Sequence, residues 1–83
     1  MSKTHQLKIW PEYFNAILKK EKTFEIRKND RNFQVGDILK LREYDPRTEL
    51  YTGSWICVKV TYILTKQNPF IDLGEMVVMS IKY

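Results

Sequence analysis

In Lys22-Thr23-Phe24-Glu25-Ile26-Arg27, two apolar residues alternate with charged ones directly after a helix-like segment. On a strand, Phe24 and Ile26 point one way and Thr23, Glu25 and Arg27 the other. This pattern predicts a strand whose apolar residues enter the core and whose charged residues form the outward face. Glu25 and Arg27 stand roughly 7 Å apart along one face, so their side chains can meet. Lys22 has the wrong parity for that face in a regular strand. It joins the pair only through its place at the helix–strand corner. One carboxylate between two cations stays ionised, orients both, and leaves a spare positive charge for a phosphate, carbonyl or base edge. A plain surface ion-pair row, worth about 0–1 kcal/mol, is the competing account.

Working outward, Gln6 to Trp10 alternates as a first strand with Leu7 and Ile9 on one face. Pro11 suits the first turn of a helix, and Tyr13, Phe14, Ile17 and Leu18 fall on one buried stripe. Lys19, Lys20 and Lys22 crowd the helix end, where cations favour the unpaired carbonyls. Lys22 to Lys28 is the second strand, followed by a polar turn at Asn29 to Asn32. Val35-Gly36-Asp37 then turns into a strand over Asp37 to Tyr44, with Leu39 and Leu41 on one face and Lys40, Arg42 and Tyr44 on the other. Asp45-Pro46 and Thr52-Gly53 bracket a hairpin connection. Ser54 to Leu64 is the longest strand, with Ile56, Val58, Val60, Tyr62 and Leu64 alternating against Cys57, Lys59 and Thr61. After a loop from Thr65 to Gly74, Glu75 to Tyr83 closes the chain as a β-rich strand.

With 83 residues, the chain holds one domain. The fold class is mainly β with one principal helix between the first two strands. Such a sheet escapes open edges by curling into a small barrel of about five to six strands. A parallel βαβ layering is disfavoured by the single helix.

A lone cysteine, Cys57, and a lone histidine, His5, leave no disulfide framework and no zinc site; both residues read as structural. No metal and no cofactor is expected. The N-terminal MSKTHQLKIW carries no apolar run like a signal peptide, and no stretch reaches the ~20 apolar residues that span a bilayer. A cytoplasmic domain without membrane contact is the expectation. The net charge of +4 is uneven: ten Lys or Arg against five Asp or Glu up to Arg42, and four against five after it. A basic half suggests an acidic partner such as nucleic acid. No nucleophile–base pair and no glycine-rich phosphate loop is visible.

Lys22-x-x-Glu25-x-Arg27 at a helix–strand junction resembles the signature Gly-x-Lys-x-x-Glu-x-Arg of the ASCH superfamily, small domains with a PUA-like β-barrel. The segment from His5 to Pro46, with Val35-Gly36-Asp37 and Leu41-Arg42-Glu43-Tyr44, is similar to a small bacterial and phage subgroup of unassigned function. One departure is plain: the signature glycine falls at Lys20. The resemblance implies a cleft lined by Lys22, Glu25 and Arg27 that accepts RNA or a nucleotide-like ligand. Lys20, Lys28 and Arg31 would serve as further backbone contacts, and Trp10 would stack on a base. One branch of the superfamily hydrolyses an acylated cytidine with a lysine, a threonine and a glutamate. That alternative would draw on Lys22, Thr23 and Glu25, with Glu43 or Glu75 as a third acid. A further alternative is a protein-interaction domain that pairs through its C-terminal strand, Met76 to Tyr83.

Overall fold

A computed structural model of the chain describes residues 2–83. The elements are β1 (Thr4–Ile9), α1 (Pro11–Leu18), β2 (Phe24–Lys28), β3 (Ile38–Asp45), β4 (Leu50–Leu64) and β5 (Met76–Lys82). The five strands form one curled, half-barrel sheet in the order β1-β3-β4-β5-β2, with the helix between β1 and β2. All neighbours are antiparallel except β1 and β3, which run parallel. A single parallel pair is not the layered βαβ arrangement that the one helix disfavoured. One crossover suffices here, because α1 and β2 together carry the chain from the end of β1 back to the start of β3.

The core lies on the concave face. Leu7, Ile9, Leu39, Leu41, Val58, Val60, Val77, Met79 and Ile81 alternate inward along their strands, and Phe14 and Ile17 of α1 close over them. The helix is shorter than expected. It ends at Leu18, and the lysines lie beyond it. Tyr13 and Leu18, read as part of the buried stripe, are about half exposed. Two turns of helix offer only a narrow inward face.

β4 corrects another expectation. It begins at Leu50, so Pro46–Glu49 is the whole turn and Thr52-Gly53 lies within the strand. Its pairing with β5 slips by one residue between Val60 and Tyr62. That bulge reverses the inward parity. Tyr62 turns out to 66% exposure, while Ile63 packs on the core.

The edge strands β1 and β2 share no backbone ladder. Arginines close the seam instead: Arg27 Nη2 donates to the Lys8 carbonyl, and Arg31 Nη1 donates to the Gln6 carbonyl at 2.8 Å. Capping an edge with side-chain donors protects it from pairing with another chain. β5 is equally unavailable, being flanked by β4 and β2. This overturns the expected pairing of Met76–Tyr83 with a partner.

On the opposite side, Asp37 ties the start of β3 to β1. Its carboxylate accepts from Lys3 N–H at 3.0 Å, Gln34 N–H at 3.0 Å and His5 Nε2 at 2.8 Å. Burial pushes its pKa up, but these hydrogen bonds outweigh that and hold it below the ordinary 3.8. An ionised carboxylate only accepts, so His5 carries its proton on Nε2. Phe33 meets the His5 ring edge-on at 4.7 Å. His5 is therefore structural, as read. Cys57 is a free cysteine exposed on β4.

Candidate functional site

The corner between α1 and β2 is built by a helix C-cap. Lys20 N–H donates to the Ile17 carbonyl and Glu21 N–H to the Ala16 carbonyl, both at 2.9 Å, the Schellman pattern. This motif needs a left-handed residue, and Lys20 supplies it at φ 60°. A glycine adopts that conformation freely, whereas Lys20 adopts it under strain. Its ammonium turns away over the Tyr83 ring, 5.8 Å from the centroid. Tyr83 in turn donates its hydroxyl to the Lys22 carbonyl at 2.7 Å, pinning the corner.

Beyond this corner β2 runs with the opposite parity to the one expected. Glu25 is buried, whereas Phe24 and Ile26 are 42% and 50% exposed. The register on β5 explains this: Glu25 and Arg27 pair with the buried Met79 and Val77, while Phe24 and Ile26 pair with Ser80 and Val78. Residues paired across a sheet share a face. The inward side was therefore fixed by β5, and a neutralised carboxylate took a place that apolarity alone would assign to Phe24 or Ile26.

Glu25 holds the constellation together. Oε1 accepts from Lys22 Nζ at 2.6 Å, and Oε2 accepts from Arg27 Nε at 2.8 Å. Lys22 Nζ also donates to the Phe24 carbonyl at 2.8 Å. Each carboxylate oxygen thus meets a cation, which burial of the charge requires. Lys22 keeps a third donor, and its ammonium lies 4.9 Å from the Phe24 ring centroid and 5.8 Å from that of Tyr13. Arg27 is more committed than the sequence suggested, because Nε serves Glu25 and Nη2 serves the β1 seam.

These side chains open onto a groove of about 500 Å³ lined by Lys8, Ile9, Trp10, Tyr13, Lys22, Phe24, Glu25, Ile26 and Arg27. Three cations stand there against one carboxylate. Trp10 and Tyr13 lie nearly parallel, 6.2 Å apart, at one wall. The free edge of β2 forms the other wall. Thr23 and Asn29 bond to β5, so by alternation the N–H and C=O of Ile26 point away from it and into the groove.

Of the sequence-read residues, the structure brings Lys22, Glu25, Arg27 and Trp10 together at this groove. Lys20, Lys28 and Arg31 lie outside its lining. Lys28 makes an exposed ion pair with Glu75 at 3.6 Å, and Arg31 serves the seam. Thr23 is exposed and absent from the lining. Glu43 accepts from the Thr52 hydroxyl at 2.6 Å, likewise away from the groove. Tyr13 and Lys8 were missed as lining residues. Tyr13 was assigned to the helix core, although it lies three residues after Trp10, where a helix brings side chains together. Among the described residues, no three His, Cys, Asp or Glu cluster as metal ligands, and no helix is long and apolar enough to cross a membrane.

The sequence model of the family described as a domain of unknown function (DUF3850) matches residues 4–81, from the start of β1 into β5. The chain is also 30% identical over 89 aligned positions to an uncharacterized 12.9 kDa protein in the GpA 3' region of Escherichia phage P2, covering 99% of this chain and 80% of that one.

Proposed function

The chain belongs to the DUF3850 family, and we propose that its groove binds RNA or a nucleotide-like ligand without catalysis. The observation that carries this reading is the groove itself: a nucleotide-sized cleft with a net positive lining, two near-parallel aromatic rings and an unpaired strand edge. A base slipped against Trp10 would stack, a contact worth about 1–3 kcal/mol. The Ile26 N–H and C=O would meet its polar edge, and the remaining donor of Lys22 would meet a phosphate oxygen. The resemblance of Lys22-x-x-Glu25-x-Arg27 to the ASCH signature, and of the curled five-stranded sheet to a PUA-like barrel, supports the same reading.

Hydrolysis of an acylated cytidine has less support. The groove lining holds no serine, threonine, cysteine or histidine, and its one carboxylate is bonded on both oxygens by cations.

The test is a calorimetric titration with cytidine monophosphate. Binding should weaken as salt rises, and Trp10→Ala should weaken it by about fivefold or more, as loss of one stack requires. Saturable binding that is indifferent to both Trp10→Ala and Lys22→Gln would refute this site. Release of acetate from an acetylated cytidine, lost in Lys22→Ala, would replace it with the hydrolase.

A further inference from the structure

The convex face of β1, β3 and β4 carries a second feature. The strand registers place side chains in rows on this face: Lys8, Arg42 and Trp55 in one; Gln6, Lys40 and Cys57 in the next; Thr4, Ile38, Lys59 and Lys82 beyond. The alternate residues, Leu7, Leu39, Leu41 and Val58, fill the core. No acidic residue occurs in these rows, although acidic residues make up ten of the chain's 83. Tyr44 and Tyr51 continue the same face as a cross-strand pair.

Aromatics and cations alternate at contact distance. Lys40 Nζ lies 4.5 Å from the Trp55 ring centroid, the Arg42 guanidinium 3.9 Å from that of Tyr51, and Lys8 Nζ 4.4 Å from that of Tyr44. Trp55 is nevertheless 56% exposed. A tryptophan left open between cations, on a face without carboxylates, suits a ligand that is both planar and anionic. The face is also continuous with the groove. Lys8 and Arg27 line the groove and also line a depression of about 270 Å³ that includes Arg31, Arg42 and Tyr51.

We propose that a single-stranded nucleic acid runs out of the groove across Lys8 and onto this sheet face, its backbone met by Lys40, Arg42 and Lys59 and a base stacked on Trp55. This deepens the groove reading and rests on it for the first nucleotide only. A strand that follows a groove of positive charge and stacks on successive aromatics needs no base-specific contacts. The path defines the ligand class as an oligomer of several nucleotides. Cys57, exposed in the middle row, serves as a reporter of occupancy.

The experiment compares cytidine monophosphate with single-stranded RNA and DNA of about ten nucleotides, a length within the range such folds cover. Three proteins are titrated: the unaltered chain, the double variant Lys40→Glu/Arg42→Glu, and Trp10→Ala, each checked for an unchanged melting profile. The oligomers should bind at least about tenfold more tightly than the monophosphate and shield Cys57 from a maleimide. In the double variant, oligomer affinity should fall and the log–log salt slope should drop by about two. Monophosphate binding should stay unchanged. RNA and DNA binding alike, or RNA preferred, both support the face. Oligomers no tighter than the monophosphate, or equally tight in the double variant, overturn it and leave the groove standing. Oligomer binding that responds to the double variant but not to Trp10→Ala refutes the groove and keeps the face. If neither ligand binds, both fall. Should the double variant unfold, Trp55→Ala and Cys57 protection carry the same decision.

Discussion

Two buried carboxylates, Asp37 and Glu25, stand at separate places in the same half-barrel, and they are used differently. Asp37 is enclosed by three groups from two chain segments: the Lys3 and Gln34 N–H donors and the His5 ring. All its partners are consumed by joining β1 to the turn before β3. Glu25 is nearly as buried, but its partners are long cations that reach it from the groove side. They neutralise it and still have donors to spare. A carboxylate satisfied by backbone fixes structure, whereas one satisfied by flexible cations also organises charge at a surface.

The largest separation of the two should come from truncation. Asp37→Ala strands two backbone donors and a histidine, and should lower stability by about 3 kcal/mol, measured by urea unfolding. Glu25→Ala should cost a similar or slightly smaller amount, about 2–3 kcal/mol, because Lys22 and Arg27 are partly solvated and can relax outward. Only the Glu25 variant should alter ligand binding. An Asp37 variant that bound ligand differently while folded would break the comparison.

Next in size is the response to acid. The folded pKa of Asp37 is depressed, so its contribution is complete above the unfolded value near 3.8 and is lost as pH falls through the folded value. Melting temperature should therefore fall as pH drops below about 4, and Asp37→Asn should flatten part of that fall. A variant retaining the full acid dependence would assign it elsewhere.

Trp10→Ala should weaken ligand binding by about 1–3 kcal/mol while costing less than about 1 kcal/mol in stability, since Trp10 is half exposed. The smallest effect belongs to the corner. Lys20→Gly relieves a left-handed lysine but loosens the unfolded chain, for a net gain of up to about 1 kcal/mol. A loss of stability would show that the Lys20–Tyr83 contact outweighs the backbone strain.

Much of the architecture was legible in the sequence because it rests on local signals. Alternation marked β1 and β3, β-branched and aromatic content marked β5, Pro11 marked the helix start, and Val35-Gly36-Asp37 marked the turn before β3. The members of the groove constellation were also legible, since Lys22, Glu25, Arg27 and Trp10 do converge. Their orientation was not. Phe24 and Ile26 promised an inward face, but which side of β2 is inside depends on Val77 and Met79, some fifty residues on. Long-range register also hid the parallel β1–β3 pair and the bulge at Thr61. Alternation placed Tyr62 on the same face as Val58 and Val60, yet it faces outward. Arg27 was read as a partner of Glu25 and Arg31 as a ligand-backbone contact, yet both also close the seam between two strands that share no ladder. Such roles are set by what tertiary structure leaves unpaired, and no short window of sequence contains that information.

The central claim is that the groove beside Glu25 is the ligand site and the Asp37 junction is not. Amide and indole NMR shifts followed through a titration with a single-stranded RNA of about ten nucleotides test it most directly. The account predicts saturable shifts at the Trp10 indole, Tyr13 and the Lys22–Arg27 amides, with those of His5, Gln34 and Asp37 unmoved. Shifts confined to the Thr65–Glu75 loop, or none at Trp10 and Lys22–Arg27 at low salt, would contradict it.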